Sequence, residues 1–283
     1  PAGRVLFAPC GWMLDSYRFL CEVSLKIPGA QRITGKPAHM RIFWYYLGLG
    51  VFLLAIYACA RRNEKHKDCR ETADLCVSRR KKRLQGIVFS CFIAFLLIFL
   101  LFPQKKSFEI DFLDVGQGDG IYLCTGGGTS MFIDGGSTDV KQVGKYRILP
   151  FLKAKGVSEI SYWFVSHTDT DHVSGLKEVL VSGYRVEYLV FAKAVEKEAK
   201  TKELAELARS HGTKVLYMQA GDTVRSKRAA MRCLYPKASD KAEDVNDLCL
   251  VLQFEEGDIS ALFGGDISTD VDEQLLRSRK WDK

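Results

Sequence analysis

Two uncharged apolar runs of 19 residues, Ile42 to Ala60 and Leu84 to Phe102, dominate the first part of the chain. A hydrocarbon core about 30 Å thick needs roughly 20 consecutive apolar residues in a helix, so both runs predict transmembrane spans, at about 42–60 and 84–102. Trp44, Tyr45 and Tyr46 stand near one end of the first run, where amphipathic rings mark a membrane interface. Both runs are internal and too long for a cleaved signal peptide. Ahead of them, Val5 to Leu25 mixes apolar residues with Asp15, Arg18 and Glu22, the pattern of an amphipathic or interfacial helix.

From Ser107 onward the period changes. Phe108 to Asp114 alternates polar and apolar, and Gly120–Thr125 and Thr129–Asp134 predict two strands about a Gly126-Gly127-Gly128 turn. A helix is expected over Lys145–Lys155, ended by Gly156, then a strand over Ile160–Val165 and a helix over Ser174–Val181. Val195–Ser210 predicts a surface helix. Further strands are expected at Lys214–Met218, Ala229–Tyr235, Leu248–Phe254 and Ile259–Phe263. Strands interspersed with helices indicate an α/β layered domain. Residues 1–106 therefore form a membrane part and 107–283 a folded domain long enough for one core.

Charge follows this division. Residues 1–106 hold 18 Lys/Arg and 6 Asp/Glu, a net +12, whereas 107–283 hold 23 and 28, a net −5. The basic excess belongs to the membrane part, which removes the argument for a basic nucleic-acid surface on the folded domain. Ten Lys/Arg lie within Arg61–Arg83, including the run Arg79 to Arg83. Such a loop is retained in the cytoplasm, so two spans leaving it would put the folded domain on the outer face of the cell membrane. The nine cysteines show no C-x-x-C spacing and no disulfide framework.

Chemistry concentrates in Ser166-His167-Thr168-Asp169-Thr170-Asp171-His172-Val173-Ser174-Gly175, where four possible ligands fall within six residues between a strand and a helix. The chain has five histidines in all. Two imidazoles and two carboxylates suit divalent metals, and such sites activate water for hydrolysis. Three other stretches end an apolar strand in Asp and glycine. They are Phe112 to Asp119, with Asp114, Gln117 and Asp119; Met131 to Gly136, with Asp134; and Leu262 to Asp266. Together with the cluster they predict one rim of carboxylates, with the glycines letting backbone approach a ligand.

The His167 to His172 segment resembles the H-x-H-x-D-H signature of metallo-β-lactamase-fold hydrolases, with Asp169 in place of the second His. That replacement, the Asp114-Val115-Gly116-Gln117-Gly118-Asp119 stretch and the spans directly before it resemble the C-terminal part of the ComEC family of DNA-uptake channel proteins. The fold implied is the four-layer αβ/βα sandwich. The resemblance implies that His167 and Asp169 hold one metal, Asp171 and His172 a second, and that Asp266 bridges them, with Asp134 orienting ligands. The metals would be two divalent ions, manganese or zinc, an extra carboxylate favouring the harder ion. Asp171 is the expected catalytic group. The family pattern also has a His before Asp266, for which Asn246 or Asp247 stands nearest the expected place, and a last His beyond Asp266. His211, the one His between the cluster and Asp266, follows the surface helix and is expected to be solvated, and no His follows Asp266, so the chain is expected to be a fragment truncated at its C-terminus and weakly active alone.

The expected function is internalisation of DNA in natural competence, with a metal-dependent nuclease domain that cleaves the non-transported strand. Expected partners are incoming duplex DNA, a single strand at the site, membrane lipid and other competence-machinery proteins. Two alternatives stand beside it: a hydrolase of the same fold acting on a small ester, lactam or phosphodiester, and a non-catalytic DNA-binding channel module.

Overall fold

The computed structural model describes residues 2–27, 32–65, 75–102, 107–242 and 245–278, and the chain forms two units, residues 1–33 and 34–283. The first contains α1 (Ala2–Leu25), a single helix with Pro9 inside it. Its large apolar side chains from Trp12 to Leu25 are exposed.

In the second unit, α2 (His39–Lys65) and α3 (Leu75–Leu101) pair as an antiparallel hairpin. Phe52 stacks on Phe92 at 4.1 Å and on Phe89 at 5.5 Å, and Gly48 leaves room for the buried Leu96. The outward faces keep Trp44, Leu54, Tyr57 and Ile98 more than half exposed. His39–Ala58, 20 residues with mean hydropathy 1.5, is long and apolar enough to span a bilayer. Among the described residues the apolar part of α3 is Gly86–Leu101, short of the roughly 20 residues a span needs. The basic segment is largely helical rather than a loop, since α2 runs on to Lys65 and α3 already contains Arg79 to Arg83. Residues 66–74 lie outside the described residues, as do Lys105 and Lys106.

The remainder folds as two sheets. The first has the order β1 (Glu109–Phe112), β2 (Gly120–Cys124), β3 (Ser130–Asp134), β4 (Glu159–Phe164), β5 (Arg185–Ala192) and β6 (Lys214–Met218); β1 to β3 pair antiparallel and β3 to β6 parallel. The second is antiparallel in the order β10 (Ile259–Phe263), β9 (Val251–Glu256), β8 (Ala229–Tyr235), β7 (Thr223–Ser226). Strand β3 is buried on both faces, and its period of two divides the core. Phe132 points to the helical side, where it stacks on Trp163 at 4.4 Å. With Leu189 these rings meet Leu152 of α4 (Leu149–Ala154), Leu176 and Leu180 of α5 (Thr170–Val181), and Leu204 and Ala208 of α6 (Ala199–Ser210). Met131 and Ile133 point the other way and meet Met231, Leu252 and Phe254 between the sheets. On the far face of the second sheet, Val271 and Leu275 of α7 (Thr269–Ser278) cover Leu234 and Val251. The result is the four-layer αβ/βα sandwich.

Several boundaries depart from the sequence reading. The helix expected over Lys145–Lys155 is a π-type turn, Gly144–Ile148, followed by α4. Pro150 falls in the first turn of α4, where its missing N–H has no intrahelical partner to lose. Helix α5 begins at Thr170 rather than Ser174, so Asp171 and His172 occupy its first turn. The Val195–Ser210 helix divides into a short turn, Lys193–Val195, and α6. Strand β9 begins at Val251 because Val245–Leu248 turns first. Strands β5 and β7 were not predicted.

Candidate metal centre

The site forms where the parallel strands β3 and β4 end, the edge at which open α/β sheets usually present ligand groups. Asp134 closes β3 with φ 58°, a left-handed conformation that Asp tolerates better than most residues. This turn buries its side chain beneath the chain leaving β4. There Asp134 Oδ1 accepts the Ser166 N–H at 2.8 Å and Oδ2 accepts the Ser166 hydroxyl at 2.8 Å. Ser166 is itself fixed on the other side, its carbonyl accepting the Leu250 N–H at 2.9 Å. Leu250 precedes β9, so the ligand loop is tied to both sheets.

Asp169 caps α5 through its backbone, its carbonyl accepting the His172 and Val173 amides at 3.0 and 3.1 Å. The side chain makes no capping bond. It extends instead to Lys200 Nζ at 2.8 Å through Oδ1, with Oδ2 3.9 Å from His167 Nε2. The hydrogen bond from Lys200 holds the Asp169 carboxyl below the usual range.

His167 and His172 are 3% and 1% exposed, with ring centroids 3.9 Å apart. His172 Nδ1 lies 3.1 Å from Asp134 Oδ2, and its Nε2 lies 3.4 Å from Asp266 Oδ2 and 3.9 Å from Asp171 Oδ2. Burial works against a charge on His172. The hydrogen bond to Asp134 and the charges of Asp134, Asp266 and Asp171 outweigh it and raise its pKa to about 9. Burial holds His167 below the ordinary value, and its neighbour His172 adds to that depression. Burial and the carboxylate of Asp134 push Asp119 upward.

Two glycines near the site, Gly118 in the Asp114 to Asp119 stretch and Gly136 after β3, have a different partner from the one expected. A Cβ on Gly118 would meet the Asp171 carbonyl oxygen at 2.4 Å, and one on Gly136 would meet Asp171 C at 2.4 Å. They therefore admit the backbone of the ligand loop, not a ligand. Asp119 N–H donates to that Asp171 carbonyl at 3.3 Å and Gly136 N–H to the Asp119 carbonyl at 3.1 Å, clasping α5 at its first turn. Asp119 Oδ2 comes within 3.9 Å of His172 Nδ1.

The structure thus brings together His167, Asp169, Asp171, His172 and Asp266, with Asp134 and Asp119 behind them. Asp114 makes a separate contact: its exposed carboxylate pairs with Arg147 at 3.1 Å. Gln117 takes part through its backbone, donating to Asp139 at 2.8 Å. The Asn246 side chain lies outside the described residues, and the Asp247 carbonyl accepts the Tyr235 hydroxyl at 2.7 Å. His211 caps α6, far in sequence from the cluster, and bonds its own helix through Leu207. Sequence reasoning missed Ser166, Lys200 and Cys249. The Cys249 thiol is fully buried and pushed up to about 12 by that burial, and it takes a hydrogen bond from the Asp266 backbone.

Among the described residues, two groups have their ligand atoms within 4.8 Å of one another: His167, Asp171 and His172, and Asp119, Asp134 and His172. In the second, the Nδ1 of His172 is already spent on Asp134. In the first, Nε2 faces the carboxylates. Among the described residues, Lys200 is the one Lys or Arg paired with a carboxylate of the cluster. An imbalance of this kind, with nitrogen and oxygen donors converging, fits a divalent cation.

No protein-family model matches the chain. ComE operon protein 3 of Bacillus subtilis is 27% identical over 218 residues, covering 71% of this chain and 28% of that protein. Recombination protein 2 of Haemophilus influenzae is 31% identical over 106 residues, covering 37% of this chain and 13% of that one. The chain therefore spans less than a third of either relative. Among solved structures, the metallo-β-lactamase fold protein YhfI from Bacillus subtilis aligns at a TM-score of 0.38 and 12% identity, over 53% of this chain and 55% of that one. The chain is thus similar in sequence to part of each of these two relatives, and its four-layer sandwich carries a rim of His and Asp at the strand ends.

Proposed function

We propose that this chain is part of a membrane-bound DNA-uptake protein whose folded domain is a metal-dependent nuclease acting on the strand that is not transported. The observation that carries this reading is the pair of buried imidazoles whose Nε2 atoms face Asp171, Asp266 and Asp169 at 3.4 to 3.9 Å. His167, Asp169, Asp171, His172 and Asp266 would hold two divalent ions, manganese or zinc, which when bound supply Lewis acidity toward a phosphodiester and acidify water. Asp134 orients His172 and holds the proton on its Nδ1. Asp171, partly exposed beside His172, is placed to accept a proton from attacking water. The first turn of α5 carries Asp171 and His172, so the positive end of its dipole lies beside the same residues, which favours an anionic phosphate.

The likeness to ComE operon protein 3 and to Recombination protein 2 supports DNA as substrate over a lactam or small ester. The apolar hairpin supports a membrane setting, with the basic segment cytoplasmic and the domain on the outer face. The purified protein with manganese is expected to shorten a single-stranded oligonucleotide and to leave a chromogenic lactam and a nitrophenyl ester intact. Hydrolysis of either small substrate without cleavage of DNA would reverse that assignment.

A further inference from the structure

A histidine binds a metal through a nitrogen lone pair, so one ring nitrogen must keep the proton and the other must present the pair. At this centre the choice can be read from a count of donors and acceptors. Ser166 Oγ has one hydrogen and lies 2.8 Å from Asp134 Oδ2. A carboxylate can only accept, so the hydroxyl donates there. The same oxygen lies 3.1 Å from His167 Nδ1. With its hydrogen committed, Ser166 must accept, which requires a proton on His167 Nδ1. His172 Nδ1 lies 3.1 Å from Asp134 Oδ2 and 3.3 Å from Ser166 Oγ, and both of those atoms are acceptors toward it. Its Nδ1 also carries the proton.

We propose that Ser166 is a positioning residue that reads the Asp134 carboxylate out to His167, fixing that ring as the Nδ1–H form and leaving its Nε2 lone pair for a divalent cation. The inference rests on the metal-centre reading for its last clause only. Asp134 reaches His172 directly and reaches His167 through the serine hydroxyl. Burial makes the choice firm: Ser166 and His167 are each 3% exposed and Asp134 2%, so water does not compete for these groups. The remaining atoms of Ser166 are also committed, its amide to Asp134 Oδ1 and its carbonyl to Leu250. A Cβ on Gly265 would approach the Ser166 Cβ at 2.9 Å, so the serine is wedged between the segment after β10 that carries Asp266 and the ring it orients.

The test compares the intact chain with Ser166→Ala and with Ser166→Thr, which keeps the hydroxyl, by nitrogen-15 resonances of the imidazoles in metal-free protein and by zinc titration. In the parent, His167 is expected to be neutral with the proton on Nδ1. In Ser166→Ala the proton is expected to move to Nε2, and zinc affinity to fall about 10- to 100-fold, the usual effect of removing an outer partner of a metal-bound His. Ser166→Thr is expected to restore both. A His167 that stays Nδ1-protonated in Ser166→Ala would overturn the proposal, as would a parent protein in which His167 carries its proton on Nε2. The tautomer is read without metal or DNA, so failure of zinc to bind the parent would sink the metal-centre reading and leave the relay judged on its own signal.

Discussion

The Asp134 carboxylate lies 3.1 Å from the Nδ1 of His172, with each side chain 2% exposed. This contact joins the end of β3 to the first turn of α5, so the site and the fold share it. Removing one member of a buried charged pair usually costs about 3 to 5 kcal/mol, because the other is left without a partner. Asp134→Ala is therefore expected to destabilise the metal-free protein by about 3 kcal/mol or more, measured by urea unfolding, and to abolish zinc binding.

Stability should also follow the protonation of His172. Its pKa rises from 6.5 to about 9 in the folded, metal-free protein. A raised histidine pKa means that the folded state binds the proton more tightly than the unfolded chain. The resulting stabilisation is complete below about pH 6.5 and is lost as pH rises through about 9. Metal-free unfolding free energy is thus expected to decline from pH 7 to pH 9.5, and His172→Gln to flatten that decline. A cation on Nε2 must displace a proton, so zinc binding at pH 7.5 should release protons, detectable as a buffer-dependent heat in calorimetry.

Much of this was legible in the sequence. Strands β6, β8 and β10 have the predicted bounds, because each is a short apolar-rich run bounded by polar turn residues. Asp134 at the end of β3 and Asp266 beyond β10 both lie beside His172 of the cluster, at 3.1 and 3.4 Å. Strand β5, buried at its C-terminal half, was overlooked. Its run Val186 to Ala192, interrupted by Glu187, passes into Lys193 without a Gly or Pro turn, and its parallel neighbours β4 and β6 show its role. Asp114 and Asp119 looked equivalent in sequence. The turn at Gly116, with φ 82°, and Gly118, with φ 147°, separates them, placing Asp119 by His172 and Asp114 on Arg147. A single serine before a histidine gives no signal by itself, and Ser166 emerges only from the hydrogen bonds around it.

The close approach at Gly136 supplies a third expectation. A methyl group there would fall 2.4 Å from Asp171 C and 2.5 Å from His172 N, both backbone atoms that cannot step aside alone. Gly136→Ala is expected to cost about 1 to 3 kcal/mol as overpacking does and to weaken zinc binding by shifting the first turn of α5. Gly50→Ala, with open space at its Cβ, serves as the comparison and should leave zinc binding unchanged.

Lys200 tests the electrostatics of the rim. It is an exposed partner, 69% accessible against 43% for Asp169, and exposed pairs contribute about 1 kcal/mol or less. Lys200→Ala should leave thermal stability nearly unchanged while the Asp169 carboxyl titrates closer to its ordinary value, followed by carbon-13 resonances of the side chain.

The central claim is that His167, Asp169, Asp171, His172 and Asp266 form a divalent-metal centre that cleaves DNA. The most direct test is single-turnover cleavage of single-stranded DNA by the intact chain across a manganese titration, run beside Asp171→Ala under the same conditions. The account predicts cleavage that rises and saturates with manganese in the parent and falls by at least about 100-fold in Asp171→Ala, the scale of losing a positioned acid–base group. Equal cleavage by the two proteins, or a parent that cuts no DNA at any manganese concentration, would contradict it.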